Sequence, residues 1–391
     1  MRVLLVAATT GYQTRSFTAA AARTGCELVL ATDRCHVLED PWGDHAISLR
    51  FEDPLEAVDA VAARGPFDGI VAVGDRPSYV ASVLAQHLAL RFSPPSSVLG
   101  AKNKFLSREK FQAAGLLTPE YQLLEHPTPP QRYPCVLKPL GLSGSRGVIR
   151  ANNDAEFLAA FSRIKNIAAE PSILVEDFIP GHEYALEGLV TNGHLQVFAL
   201  FDKPDPLDGP FFEETIYVTV PQQPAISDTV QRAVTALGLT DGPIHAEMRV
   251  NPAGVWMLEI AARPIGGLCS RVLRFSKGES LEELILLAAT GADVSQARLA
   301  EGAHAVMMIP IPRAGIYNGV SGLGQARAVA HIEDIVITAK QGHAMIPLPE
   351  GASYLGFIFA RADSSGHAVA ALREAHGRLT FDFSATLPVV K

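Results

Sequence analysis

The chain has 391 residues, which at roughly 100–200 residues per domain predicts two or three compact domains. Hydrophobic residues make up 48% of it and charged residues 19%, a balance that is too apolar for a disordered protein. The 33 Lys and Arg residues against 41 Asp and Glu residues give a net charge of −8, which argues against a general nucleic-acid binder because such proteins need a basic face. No uncharged apolar run reaches the roughly 18 residues of a membrane span.

The four cysteines indicate a reducing compartment. Cys26, Cys35, Cys135 and Cys269 form neither a CxxC pair nor a zinc-ligand spacing. We therefore expect free thiols and a cytoplasmic location. The short apolar run at residues 3–8 predicts a strand and not a secretory signal.

The first ninety or so residues alternate between strand and helix patterns. Strands are predicted over residues 2–8, 26–31 and 67–74, and helices over residues 14–23, 54–64 and 79–90. Strands separated by helices of about ten residues predict a parallel sheet with helices on its faces. The turn after the first strand lacks GxGxxG, so we predict a Rossmann-like domain over residues 1–95 without the dinucleotide fingerprint.

A glycine-rich segment joins two predicted strands near residue 140. The apolar strand 134–139 carries Lys138 near its end, and glycines at 141, 144 and 147 alternate with serines before Val148 begins the next strand. Backbone N–H groups in such a loop can approach an anion closely. Because the loop joins strand to strand and lacks GK[ST], a flap over nucleotide phosphates fits better than a P-loop, with Lys138 as a point charge on the same phosphates. The alternative is an ordinary hairpin turn.

An acidic strand end follows about thirty residues later. The apolar strand beginning at residue 173 runs into Glu176 and Asp177, breaks at Pro180-Gly181 and resumes with Glu183. Backbone groups over residues 177–179 suit an adenine edge, and Glu183 suits ribose hydroxyls. A solvated strand end is the alternative.

Two further strands place single carboxylates among apolar residues. Residues 242–250 and 255–264 predict an antiparallel pair that carries Glu247 and Glu259. Isolated buried carboxylates are costly, and Mg²⁺ held by one or two carboxylates plus substrate phosphates would relieve their repulsion. Period-two alternation predicts that Arg263 faces the same side and stabilises a developing oxyanion. The alternative is a structural ion pair between Arg263 and one of the two glutamates.

Taken in order, these motifs resemble the ATP-grasp ligase family. The motifs that carry the resemblance are residues 103–108, 136–147, 176–183, 245–247 and 259–267. The resemblance implies an α/β and α+β multidomain protein: a Rossmann-like domain (1–95), an ATP-grasp domain (96–300) with a mobile lid at about 118–176, and a small C-terminal α+β domain (301–391).

Within this family the chain looks most like the branch of L-amino acid ligases and carnosine-synthase-like enzymes. The segments that carry this likeness are 211–215, 242–247, 259–267, 324–328, 347–351 and 355–357. One position departs from the pattern: many members have Asn two positions after the second metal-binding Glu, and here Ala261 occupies that position. This departure puts the second magnesium site in doubt.

The resemblance implies a role for each matching residue. The ATP-binding residues would be Lys104, Lys138, Ser143, Gly144, Ser145, Arg146, Gly147, Glu176, Asp177, Phe178, Ile179 and Glu183. Glu247 and Glu259 would bind Mg²⁺ or Mn²⁺, and Arg263 would be catalytic. Glu214, His245, Gly266 and Gly267 would contact substrate.

The implied activity is ATP-dependent joining of a small carboxylate to a small amine, through an acyl phosphate, with release of ADP and phosphate. No nucleic-acid or membrane partner is expected, and a homodimer is compatible with the family. Two alternatives stay open at this point. One is an ATP-grasp enzyme of carboxylase-like or purine-pathway chemistry, and the other is a nucleotide-binding protein with weak catalysis.

Overall fold

The computed structural model describes residues 1–8, 11–33, 45–168, 170–204, 215–351 and 353–385. Among these residues, no helix combines the length and the apolar character needed to cross a membrane.

The N-terminal domain is a small parallel sheet flanked by helices. Its elements are β1 (Arg2–Ala7), α1 (Tyr12–Thr24), β2 (Glu27–Thr32), β3 (Ile47–Ser48), α2 (Val58–Ala62), β4 (Gly69–Val73) and α3 (Asp75–Leu88). The strand order is β3-β2-β1-β4, and all pairs are parallel, as the alternation of strands and helices predicts. The strands read as continuous apolar runs because helices cover both faces of such a sheet. Helix α2 is shorter than the predicted 54–64 because only Val61 within it is buried, so little packing supports further turns.

Residues 95–177 form three helices and a second, antiparallel sheet. The elements are α4 (Pro95–Lys102), α5 (Lys104–Ala113), β5 (Tyr121–Leu124), β6 (Cys135–Pro139), β7 (Ile149–Ala151), α6 (Asp154–Ile167) and β8 (Ile173–Asp177). The sheet order is β5-β8-β6-β7. It packs against α6 around its own core, which includes Leu137, Phe157 and Ile164. A separate core would allow these elements to move together as a lid. The motion of the lid stays a prediction.

The remaining elements build the central sheet and a small C-terminal sheet. They are β9 (His182–Thr191), β10 (His194–Asp202), β11 (Ile216–Val220), α7 (Pro224–Leu237), β12 (Gly242–Asn251), β13 (Gly254–Ala261), α8 (Leu281–Ala289), β14 (Ala303–Ile309), β15 (Gly315–Ser321), α9 (Leu323–Arg327), β16 (Ile332–Ile337), β17 (Ala344–Met345), β18 (Gly356–Ala362), α10 (Ser365–Gly377) and β19 (Thr380–Ser384). The central order is β13-β12-β9-β10-β11-β14-β18-β16, and β17-β15-β19 form the small sheet. The predicted hairpin of β12 and β13 is present.

The central sheet continues across residue 300. Strand β14 pairs with β11, and β18 and β16 extend the sheet beyond it. A shared apolar core also joins the N-terminal domain to this sheet, because Phe17 belongs to the same cluster as Phe198, Phe275 and Phe357. These contacts hold the three regions together around the cavity described next. The exact domain boundaries remain predictions.

Candidate active site

A cavity of about 360 Å³ lies where the three regions meet. The N-terminal domain contributes Gly74 and Asp75 to its wall, and the C-terminal region contributes Met308 and Tyr354. Most of the residues predicted from the sequence also line it: Lys104, Lys138, Ser143, Gly144, Ser145, Glu176, Asp177, Phe178, Ile179, Glu183, His245, Glu247, Glu259, Arg263, Gly266 and Gly267. The structure thus brings together side chains that lie far apart in the chain.

Three predicted site residues remain: two of them lie in the flap beside the cavity lining, and one is not described by the structure. The Arg146 Nε donates to the Glu350 carbonyl at 3.2 Å, and the Gly147 N–H donates to the Pro349 carbonyl at 3.0 Å. Both therefore anchor the flap to the C-terminal region, while Ser143, Gly144 and Ser145 line the cavity. The third residue, Glu214, lies outside the described residues.

Two glycines of the flap offer a matched test of how tightly it packs on β6. Gly144 and Gly147 both have positive φ, of 64° and 71°. A Cβ at Gly144 would meet nothing within 4 Å, whereas one at Gly147 would lie 3.1 Å from Pro139 Cγ. Each change to Ala carries a backbone cost of about 1–2 kcal/mol, and Gly147→Ala adds crowding. We expect faster amide hydrogen exchange over residues 135–151 in Gly147→Ala than in Gly144→Ala; equal exchange would contradict the contact with Pro139.

At one side of the cavity two lysines lie close to carboxylates. Lys104 begins α5, which Asn103 caps by accepting N–H groups from the first turn. Its Nζ donates to the Leu142 carbonyl in the flap at 2.6 Å and lies 3.5 Å from Glu259. Lys138, at the end of β6, lies 2.6 Å from Glu176. The contact of these two lysines with ATP phosphates stays a prediction.

Glu176 belongs to a buried cluster that sequence reasoning missed. It contacts Lys138 at 2.6 Å and Arg108 at 2.6 Å, and all three side chains are almost fully buried. Burial raises the pKa of Glu176, but Arg108 and Lys138 outweigh it and hold that pKa below its usual value. The Glu176 side chain therefore neutralises cations. Its predicted contact with adenosine stays a prediction.

The predicted adenosine end is rich in guanidinium groups. The Phe178 ring has the Arg150 and Arg249 guanidiniums at 4.2 and 4.8 Å from its centroid. Arg249 also donates to the Ile179 carbonyl at 2.9 Å and to Glu183 at 2.9 Å. The N–H of Phe178 bonds the Pro134 carbonyl, so this group is engaged within the protein.

Glu183 is held by two cations. Lys203 Nζ lies 2.5 Å from one of its oxygens, and Arg249 binds the other. Burial raises the pKa of Glu183, but Lys203 and Arg249 lower it below its usual value. The carboxylate is therefore ionised beside the cavity. Its contact with ribose stays a prediction.

Glu247 and Glu259 face each other across β12 and β13. They are direct register partners, and their side chains are only 21% and 25% exposed. Lys203 lies 3.3 Å from Glu247. No group of three or more His, Cys, Asp or Glu side chains suited to a metal occurs in the described ranges. Two facing carboxylates nevertheless fit Mg²⁺, which commonly takes one or two carboxylates and completes its shell with water and substrate phosphates. Ala261 is buried and contributes no oxygen ligand from its side chain.

Arg263 lies in the cavity, but not for the reason that strand alternation suggests. Strand β13 ends at Ala261, so the period of two does not continue to Arg263. Its ion-pair partner is neither Glu247 nor Glu259: Arg263 Nε donates to Asp75 Oδ1 at 2.8 Å. The alternative of an ion pair between Arg263 and one of the two glutamates is therefore wrong. The predicted common side agrees with the cavity, which Glu247, Glu259 and Arg263 all line, although a turn after Ala261 and not strand alternation brings Arg263 there.

A second missed carboxylate supports this turn. Glu187 is fully buried in β9, contacts His245 Nδ1 and accepts the Ile265 N–H at 3.0 Å. Burial would lower the pKa of His245, but Glu187 and Glu247 raise it to about 10, so the imidazole is protonated and donates to Glu187. His245 Nε2 lies 3.4 Å from Glu247.

The missed residues share one signal in the sequence. Each is a charge within or beside an apolar segment, where burial demands a partner. These residues are Asp75, Arg108, Glu187, Lys203 and Arg249.

Comparison with known proteins agrees with this architecture. Residues 131–272 match the family model of the ATP-grasp domain, and residues 307–384 match L-amino acid ligase C-terminal domain 2. The fold is that of an L-amino acid ligase from Bacillus licheniformis, with a TM-score of 0.83, 23% identity and coverage of 98% of both chains.

Two curated relatives are similar in sequence. The chain is 29% identical to dapdiamide A synthase of Enterobacter agglomerans over 51% of each chain. It is 26% identical to an uncharacterized protein of Sinorhizobium fredii over 70% of this chain and 59% of the relative. The chain thus spans only about half to three fifths of the length of these relatives.

The fold and these matches define a protein that carries an ATP-grasp domain. That domain matches over residues 131–272, and residues 307–384 match the C-terminal domain 2 of L-amino acid ligases.

Proposed function

We propose that the protein is an ATP-dependent carboxylate–amine ligase that forms an amide bond through an acyl phosphate. The observation that carries this proposal is the facing pair of Glu247 and Glu259 in a cavity that also holds Lys104 and Arg263. Two carboxylates suited to Mg²⁺ beside cationic side chains are what phosphoryl transfer from ATP requires. The match of residues 131–272 to the ATP-grasp domain supports the same reaction.

Several side chains of the cavity act in the first step, the transfer of a phosphoryl group from ATP to the substrate carboxylate. A substrate carboxylate oxygen attacks the γ-phosphorus, and the bond to the ADP oxygen breaks. Lys104 and Lys138 offset the charge on the phosphoryl oxygens, while Arg263 faces the forming acyl phosphate. Magnesium held by Glu247 and Glu259 would supply further charge neutralisation.

The second step forms the amide. The amine nitrogen attacks the acyl carbon, a tetrahedral oxyanion forms, and phosphate leaves. Arg263 is suited to stabilise that oxyanion. Water competes for an acyl phosphate, so the flap carrying Ser143 and Ser145 must cover the site before reaction.

The substrates that we propose are amino acids, or one amino acid and another small carboxylate. Similarity to dapdiamide A synthase and to an L-amino acid ligase supports this class. A cytoplasmic location agrees with Cys26, Cys135 and Cys269, which are buried and form no disulfide in the part of the chain that the structure describes. A homodimer stays a prediction.

The direct test is an ADP-release screen of all pairwise amino acid combinations with Mg²⁺ and ATP, with mass spectrometry of the products. We expect ADP release to require a carboxylate and an amine together. Hydroxylamine should trap a hydroxamate when the activated carboxylate is supplied without its amine, because it attacks the acyl phosphate.

Other outcomes would redirect the assignment. ATP turnover that depends on bicarbonate or a phosphoribosyl amine would indicate carboxylase-like or purine-pathway chemistry. Tight ATP binding without turnover across the panel would indicate a nucleotide-binding protein.

A further inference from the structure

Asp75 is a carboxylate in the cavity that the proposed mechanism does not use. It is the first residue of α3 in the N-terminal domain, and its side chain is 17% exposed. Its Oδ1 accepts the Nε–H of Arg263 at 2.8 Å, although the two residues are 188 positions apart. The contact therefore joins the N-terminal domain to the reaction site.

The hydrogen bonds of Arg263 define the orientation of its guanidinium. One N–H group points to Asp75, and Nη1 donates to the Pro264 carbonyl at 3.1 Å. A guanidinium carries five N–H groups in a planar fork, so two fixed bonds set the plane while other donors stay available to a ligand. The Pro264 contact comes from the adjacent residue, which moves with Arg263. Asp75 is thus the partner from another part of the chain that fixes the orientation of the Arg263 side chain.

Two further site residues act on Asp75. Burial raises the pKa of Asp75, but Arg263, Lys104 and the Ser143 hydroxyl outweigh it and hold that pKa below its usual value. The carboxylate is therefore ionised near neutral pH. The three groups that act on Asp75 come from three places: Arg263 from the turn after β13, Lys104 from α5 and Ser143 from the flap.

We propose that Asp75 is a positioning residue that holds the Arg263 guanidinium where the acyl phosphate forms, so that the N-terminal domain supplies part of the geometry for acyl transfer. This inference rests on the proposed function. The main competing role, recognition of a substrate ammonium group by Asp75, is less favoured because Arg263 already engages the carboxylate.

The test is a double-mutant cycle in the full chain. Asp75→Asn, Arg263→Lys and the double variant are compared for kcat and for the KM of ATP and of both substrates, using the best pair from the ADP-release screen. We expect Asp75→Asn to lower kcat about 10- to 100-fold with an unchanged KM for ATP, because small misplacements of a catalytic group have effects of this size. In the Arg263→Lys background the same change should cost less than about 3-fold. Asp75→Glu should recover part of the loss.

Glu52→Gln is the matched control. Glu52 forms an exposed ion pair at 2.6 Å with Arg76, the neighbour of Asp75, so its loss should leave turnover unchanged. Losses that multiply in the double variant, or a raised KM for the amino substrate with unchanged kcat, would overturn the positioning role alone. Absence of ADP release by the wild-type chain with every pair would overturn the proposed function and this inference with it.

Discussion

Glu259→Gln is expected to lower ADP release about 10²- to 10³-fold while leaving the thermal unfolding midpoint unchanged. The substitution keeps the shape of the side chain but removes one of two charges that suit Mg²⁺, and a single lost transition-state stabiliser has effects of this size. Fold stability should survive because Glu259 is partly exposed and lies next to Lys104 without being fully buried. The measurement is a coupled ADP assay at several Mg²⁺ concentrations.

The Mg²⁺ dependence separates a metal ligand from a charge that acts in another way. If Glu259 binds the ion, higher Mg²⁺ should restore part of the turnover in the variant. Glu125→Gln, a change at an exposed residue just after β5, should behave as wild type. Near-native turnover in Glu259→Gln at low Mg²⁺ would remove Glu259 from the site.

Glu176→Gln is expected to destabilise the fold by about 3–5 kcal/mol, the usual effect of removing one member of a buried ion pair. Glu176 is the carboxylate that contacts both Arg108 and Lys138, and their side chains are 0% and 12% exposed. Without the Glu176 charge, Arg108 and Lys138 lose the carboxylate that neutralises them in this buried cluster. Urea unfolding followed by circular dichroism measures the change.

The pH dependence has a definite sign. Because the pKa of Glu176 is lowered in the folded protein, its contribution to stability is present above its unfolded pKa and is lost as pH falls through the lower, folded value. Glu176→Gln should therefore flatten the acid limb of the stability profile. Glu374→Gln removes an exposed pair with Arg378 and should change stability by less than about 1 kcal/mol. Equal effects of the two substitutions would contradict the buried cluster.

Much of the architecture could be predicted from local patterns. Alternating apolar strands and helices predict the parallel sheet around β1, and the glycine-rich connection predicts the hairpin of β6 and β7. The hairpin of β12 and β13 also follows from sequence, because a short turn joins the two strands. The pairing of Glu247 with Glu259 does not: the register from the turn would place Leu258 opposite Glu247, and a shift in register between Glu247 and Met248 brings Glu259 there instead.

The chain by itself therefore determined which charges would lie among apolar residues and which strands would be sequential neighbours. Only the tertiary structure decided the partners of those charges: Asp75 for Arg263, Glu187 for His245, and Arg108 for Glu176. The physical reason is that a buried charge requires a counter-charge, and a local segment of sequence already shows this requirement. Which residue supplies the counter-charge depends on the distant elements that pack against that segment. Arg263 shows the difference most clearly, because its strand ends two residues earlier and the following turn selects its partner.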